Sequence, residues 1–220
     1  MREVLNVSAL RRVAILDPIK LIINNYPDGQ EEDCLAPNHP LNEDLGKRTL
    51  KLTKELWIER EDFMVSPIEK YFRLYPGNQV RLRYGYIVTC TGFDEDDQGN
   101  IMAVYCDYLP DTKSGTPGAN SIKVKGNIHW LSIKYSINAV VNQYDRLFKE
   151  EHPGNKTDNY LDDLNLNSLK TSQIKLEENC LSVSPSDQFQ FERHGYFICD
   201  SNQNSIITFN RTTTLRDTWQ

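Results

Sequence analysis

From Lys70 to Phe93 the chain has no acidic residue, while Lys70, Arg73, Arg81 and Arg83 stand among Tyr71, Phe72, Tyr75, Tyr84 and Tyr86. The rest of the molecule is acidic enough to leave a net charge of −6. That balance argues against a nonspecific nucleic-acid coat, because counterion release needs many cations facing phosphates. One local basic and aromatic surface remains compatible with it. In the run "VRLRYGYI", strand alternation sends Arg81 and Arg83 to one face and Val80, Leu82, Tyr84 and Tyr86 to the other. Two guanidinium groups about 6.6 Å apart on a rigid strand suit neighbouring unstacked nucleotides, each fork donating to a base edge or a phosphate. An arginine face in solvent on an ordinary half-buried strand satisfies the same pattern.

The other reactive side chains suggest no catalytic or metal chemistry. His39, His129, His152 and His194 are far apart and lack the i, i+4 spacing of metal ligands. The cluster Asp94, Glu95, Asp96, Asp97 has Gly99 where a calcium loop wants glycine, but Tyr105 occupies the place of its bidentate Glu. A solvated hairpin turn is expected there instead. "GTPGAN" lacks the GK[ST] ending of a phosphate loop and reads as a tight turn. The five cysteines, Cys34, Cys90, Cys106, Cys180 and Cys199, form no CxxC pair and are odd in number. They therefore suggest a reducing compartment, with neither a disulfide framework nor a zinc site. No apolar run approaches the roughly 20 residues of a membrane span, and Arg11-Arg12 interrupt the only stretch resembling a signal peptide. A soluble chain with no membrane partner is the expectation.

The elements that must position these residues read as short strands. "VAIL", "KLIINNY", "TLKLTKELWIER", "QVRLRYGYIVTC", "IMAVYC", "SIKVKGNIHWLS", "FQFERHGYFIC" and "SIITFNRTTTL" are rich in β-branched and aromatic residues. Pro76-Gly77, "DEDDQGN" and "PDTKSGTPGAN" punctuate them. The one helical candidate is "TDNYLDDLNLNSLK", with Thr157 or Asp158 as its cap. Many short strands with little helix predict a barrel or sandwich. "RYGYIVTCTG" from Arg83 echoes "RHGYFICDS" from Arg193, at a distance that suits two copies of one small barrel.

Nine stretches in order, "ILDPIKLIINNYPDGQ", "APNHP", "WIEREDF", "YFRLYPGNQVRLR", "DTKSGTPGA", "KVKGNIHW", "YDRLF", "FQFERHGYF" and "FNRTTTLRDTW", together resemble the C-terminal anticodon-binding region of glutaminyl-tRNA synthetases. The resemblance covers nearly the whole chain. It implies a mainly β module of a larger class I synthetase: two small tandem β-barrels that exchange their N-terminal strands, with one or two short helices. The first barrel is expected over about 20–128 and the second over about 129–220, with a strand near 10–19 exchanged into the second. Neither the HIGH-like nor the KMSKS-like signature of the family's active site occurs in these 220 residues. The resemblance thus implies no catalytic residue, metal or cofactor here, and assigns glutamine, ATP and magnesium to an upstream catalytic domain of a cytoplasmic glutamine-tRNA ligase.

The implied partner is the tRNA for glutamine, and not DNA, with an anticodon of pyrimidine, U and G. The family pattern gives the middle U to Arg11, Gln190 and Arg193, the third-position G to Lys70 and Arg73, and the first base to Arg81 and Arg83. Some family members carry Gln at the place of Lys70 and Lys at the place of Phe72, so the third-base pocket differs within the family. On a flat strand Gln190 and Arg193 point to opposite faces, so joint contact needs a bend, for which Gly195 is near. Glu192 between them is expected to orient Arg193 or Arg11 by an ion pair. A glutamyl-type synthetase module or another RNA-binding barrel is the alternative reading, and a protein-interaction module with a basic strand is a further one.

Overall fold

Period-two burial decides most of the architecture. In the computed structural model, which describes residues 1–203 and 206–216, the β-branched and aromatic runs form sixteen strands and one helix, α1 (Arg2–Ser8). The chain first lays down β1 (Leu10–Arg12), β2 (Ala14–Ile15), β3 (Pro18–Ile23), β4 (Glu32–Pro37), β5 (Lys47–Leu52) and β6 (Glu55–Glu59). It continues through β7 (Gln79–Leu82), β8 (Ile87–Glu95), β9 (Ile101–Tyr108), β10 (Gly126–Ile128) and β11 (Leu131–Ser132). The last group is β12 (Ser136–Tyr144), β13 (Leu169–Glu177), β14 (Gln188–Phe191), β15 (Gly195–Gln203) and β16 (Ile206–Thr213).

Two barrel-like sheets result, with orders β10-β7-β8-β9-β3-β6-β11 and β1-β14-β15-β16-β12-β13-β2. Each is a three-strand meander joined to an antiparallel pair, and each is flanked on both edges by short strands from the segment that precedes the other barrel. β1 pairs parallel with β14 and β2 antiparallel with β13, just as β10 pairs parallel with β7 and β11 antiparallel with β6. The barrels thus exchange their N-terminal strands. The echo of "RYGY" and "RHGY" falls on equivalent turns, and each following strand carries a bulge, between Cys90 and Gly92 and between Cys199 and Ser201.

The exchanged segment that enters the second sheet is Leu10–Ile15, whereas Pro18 already belongs to the first. The first sheet in turn extends to Ser132, past residue 128. Alternation along this segment ties the cores together: Val13 and Ile15 are buried in the first core and Ala14 in the second. At the same seam Glu177 is enclosed. Its carboxylate meets Arg48 Nε at 2.7 Å, lies 3.2 Å from Arg12 Nε and accepts from the Val13 backbone N–H at 2.9 Å.

Several expectations need correction. "TDNYLDDLNLNSLK" forms only a 3-10 turn at Tyr160–Asp163, capped by Asn159, before β13 begins. Asp158 sits at φ +57°, and Tyr160, Leu161 and Leu166 stay exposed, so a longer helix would have no apolar face to bury. The helix lies instead at Arg2–Ser8, where Leu5 packs on Ala9 and Tyr196. β4, β12 and β13 had no place among the expected strands; "SINAVVNQY" and "LKTSQIKLE" are too rich in Asn, Gln, Ser and Lys to stand out by composition. The alternation read through "VRLRYGYI" stops at Leu82, because Tyr84 adopts φ +64° and the chain turns. The expected hairpin turn spans Asp96–Asn100, between β8 and β9, with Asp96 accepting from the N–H groups of Gln98 and Asn100. The five cysteines are free and buried. No helix among the described residues is long and apolar enough to cross a membrane. Part of "FNRTTTLRDTW" lies outside the described residues.

Candidate nucleic-acid interface

Where the barrels meet, a cavity of about 300 Å³ is lined by residues from both, including Asn6, Arg11, Arg83, His129, Gln190 and Arg193. The parallel register of β1 and β14 sets Arg11 beside Gln190. Arg11 is held in place by its own segment, its guanidinium donating to the carbonyl of Ala9 and to Asn6. β14 ends at Phe191, and Arg193 then adopts φ +74°. That left-handed residue supplies the bend that returns Arg193 to the cavity holding Gln190. Gly195 is needed beside it, since a Cβ there would sit 2.6 Å from the carbonyl oxygen of Thr213. Arg83 arrives from the turn after β7, its carbonyl accepting from Trp130 Nε1 at 2.8 Å and its guanidinium lying 5.0 Å from the Tyr84 ring centroid.

Glu192 does not pair with Arg193 or Arg11 as the sequence suggested. Its Oε2 lies 3.0 Å from Arg83 and 2.9 Å from His129 Nε2. The turn at Arg193 separates the two side chains, and Arg193 reaches the first barrel instead, pairing with Asp62 at 2.6 Å and with Glu61. Burial alone would raise the Glu192 carboxyl, but His129 and Arg83 outweigh it and hold it below its usual range. Burial lowers His129 below its ordinary 6.5, so the ring is neutral at pH 7 and donates to Glu192. A histidine depressed on folding contributes stability that is complete above its unfolded pKa and is lost as pH falls toward its folded one. Thermal stability should accordingly drop from pH 6.5 downward, and His129→Gln, which keeps a donor for Glu192 but cannot titrate, should flatten that slope; a melting-temperature series across pH 5–7.5 measures it.

Asp62 is fully buried and is the hinge of the interface. One oxygen takes Arg73 and the other takes Arg193, so two arginines from different barrels share one carboxylate. Burial would lower the Arg193 guanidinium, yet Asp62 and Glu61 raise it above its usual value, which keeps it charged. Beyond Arg73 opens a larger cleft of about 590 Å³, lined among others by Lys70, Phe72, Tyr75, Lys123 and Lys125.

The seven residues singled out in the sequence are thus distributed unevenly. Arg11, Arg83, Gln190 and Arg193 converge on the cavity between the barrels, Lys70 lines the cleft, and Arg73 stands between the two. Arg81 is set apart from Arg83: its guanidinium donates to the carbonyls of Thr112 at 2.7 Å and Ala119 at 2.5 Å. It braces the loop 110–120, where Gly118 packs so closely that a Cβ would lie 1.9 Å from the Asp111 oxygen. Sequence reasoning passed over Asp62, Asn6, His129, Lys123 and Lys125. Asp62 stood in plain view within "WIEREDF", but nothing in a sequence marks an aspartate as buried.

The family described as "tRNA synthetases class I (E and Q), anti-codon binding domain" matches residues 9–109, and a second family of the same description matches residues 127–200. The chain belongs to this anticodon-binding family. Over its full length it is 53% identical to a glutamine-tRNA ligase of Cupriavidus metallidurans, covering 38% of that protein. It is likewise 52% identical to the glutamine-tRNA ligase of Ralstonia pickettii, covering 38%, and 50% identical to that of Nitrosomonas europaea, covering 40%. This anticodon-binding chain therefore spans about two fifths of the length of the curated relatives it matches. Each family match takes in strands of both sheets, since 9–109 includes the exchanged β1 and β2 and 127–200 includes β11, and the residues between the matches, 110–126, include the loop that Arg81 braces.

Proposed function

We propose that the chain reads the anticodon of glutamine tRNA for a ligase that charges this tRNA with glutamine. The observation that carries the reading is the convergence of Arg11, Arg83, Gln190 and Arg193 from two interlocked barrels on one cavity. On this reading the loop presents three unstacked bases. The Gln190 amide, which both donates and accepts, meets the edge of the middle uracil between Arg11 and Arg193. Arg73, with Lys70 beside it, donates to the acceptor atoms of the third-position guanine. Arg83 meets the first pyrimidine, while Arg81 fixes the wall behind it.

Glutamine, ATP and magnesium belong, on the same reading, to a catalytic domain elsewhere in the parent chain, working in the cytoplasm. The chain's own contribution is selection: a matched anticodon completes hydrogen bonds that a mismatched one leaves unmade. Arg73→Ala should cost about 1–3 kcal/mol against the glutamine anticodon stem-loop and relax preference at the third letter. Titration of native and variant chains with stem-loops of the glutamine tRNA, the glutamate tRNA and an unrelated tRNA, at one stated salt concentration, checks this. Equal losses for all three would make Arg73 a phosphate contact, and native affinity equal for all three would end the proposal. Preference for the glutamate stem-loop would assign the chain to a glutamyl-type enzyme.

A further inference from the structure

Resting on that reading, we propose that Glu32, at the start of β4, is a positioning residue for the first anticodon letter: through Lys113 and Tyr86 it fixes the turn that carries Arg83, without touching RNA itself. The turn between β7 and β8 is closed by the Leu82 N–H donating to the Tyr86 carbonyl at 2.8 Å and the Gly85 N–H to the Leu82 carbonyl at 2.7 Å. Three consecutive residues of the 110–120 loop then hold it from one side. Thr112 Oγ1 accepts from the Ile87 N–H at 2.9 Å, and Ser114 donates to the Gly85 carbonyl from its N–H at 2.9 Å and from its hydroxyl at 3.0 Å. Lys113, between them, reaches the other way, its Nζ 2.7 Å from Glu32 Oε2. Arg81 donates to the same Gly85 carbonyl at 3.3 Å, so the arginine that braces the loop also braces the turn.

Glu32 is built as an anchor. Its Oε2 also accepts from the hydroxyl of Tyr86 at 2.8 Å, and its Oε1 accepts from Tyr26 Oη and Gln30 Nε2, both at 2.9 Å. Burial would raise its carboxyl, but Lys113, ahead of Tyr86, Tyr26 and Gln30, outweighs that and holds it at about 2, so the anchor is ionised throughout the neutral range. The side chains of Lys113 and Glu32 are 20% and 21% exposed, which leaves their pairing less screened than one in open solvent. One carboxylate thus holds the turn twice, directly at Tyr86 and through Lys113 and Ser114 at Gly85. At its far end Arg83 lies 3.0 Å from Glu192 of the second barrel, so the guanidinium is aimed by one barrel while its backbone is set by the other. A turn that shifts carries the donor off the line to its base, and hydrogen bonds weaken steeply with misalignment.

The test uses the full 220-residue chain and glutamine stem-loops whose first letter is a pyrimidine or a purine, the other two letters being unchanged. The native chain should prefer the pyrimidine. Lys113→Met keeps the buried stem and loses the charge; it should cut that preference by roughly 2- to 30-fold, the range for a residue that alters coupling without touching the ligand. Preferences at the middle and third letters, read with stem-loops altered there, should stay at their native values. Lys113→Arg, which keeps a donor for Glu32, should restore the first-letter preference, and Ser114→Ala, which removes one of two donors to Gly85, should reduce it by less than Lys113→Met does. Combining Lys113→Met with Glu32→Gln should cost no more than the larger single change, because both break one link. First-letter preference untouched in Lys113→Met and Ser114→Ala, or equal losses at all three letters, overturns the positioning role and leaves anticodon reading standing. If Lys113→Met melts below the assay temperature, Ser114→Ala decides in the same way. Failure of the native chain to prefer the glutamine stem-loop over an unrelated one overturns the parent reading instead.

Discussion

Replacing Asp62 by Asn should loosen discrimination at the middle and third anticodon letters together and lower folding stability by about 2–3 kcal/mol. Both effects have one cause. The carboxylate is fully buried and its two oxygens hold Arg193 and Arg73 apart at a fixed spacing. An amide of the same shape keeps one acceptor and presents an N–H to the other arginine, so one guanidinium loses its partner and gains a repulsive neighbour. Full enclosure would make the loss about 3–5 kcal/mol, but Arg73 retains 35% and Arg193 19% exposure, and water offsets part of it. Urea unfolding reads the stability, and stem-loops altered singly at each anticodon position read the specificity. Loss at the third letter alone would mean that Arg193 is oriented by Glu61 without Asp62.

The larger stability effect is expected at Glu177. Glu177→Ala leaves Arg48 and Arg12 enclosed at the seam with no opposing charge, a situation that costs about 3–5 kcal/mol. The arginines come from β5 and from the end of β1, whereas Glu177 closes β13, so the change acts on both barrels although it is made in one. Trp57 and Trp130, both in the first barrel, supply the probe in a Trp219→Phe background, Trp219 lying outside the described residues. Tryptophan fluorescence and far-UV circular dichroism should move to lower denaturant together, as one cooperative transition. A variant whose dichroism shifts while its fluorescence midpoint stays would show the barrels unfolding separately.

Strand identity was readable where composition was biased: "IMAVYC" lies wholly in β9, "KLII" of "KLIINNY" lies in β3, and "FQFERHGYFIC" supplies β14 and β15 on either side of the turn at Glu192–His194. β12 and β13 escaped because their outward faces carry Asn, Gln, Thr and Lys, and only the inward positions Ala139, Val141, Ile174 and Leu176 declare a core. The supposed helix at 157–170 was a run of leucines that the fold leaves exposed. The charge pattern drew attention to the right arginines without their geometry. Arg81 and Arg83 look equivalent on paper, yet one residue at φ +64° ends their common face and sends them to different partners. Glu192 could be recognised as an ion-pair former, but its partners come from residues 83 and 129, far away in sequence, which only the exchange of strands brings near.

Because each cylinder is sealed by staves cut from the segment before its neighbour, neither half is a self-sufficient folding unit. On the ribosome the first remains an open sheet until Ser132 has emerged, and Leu10–Ile15 must wait for β13 and β14 before its own edge bonds can form. The cleft lined by Pro67–Gly126 can therefore take shape with the first barrel, whereas the cavity between the barrels gains all its walls only once Arg193 is in place.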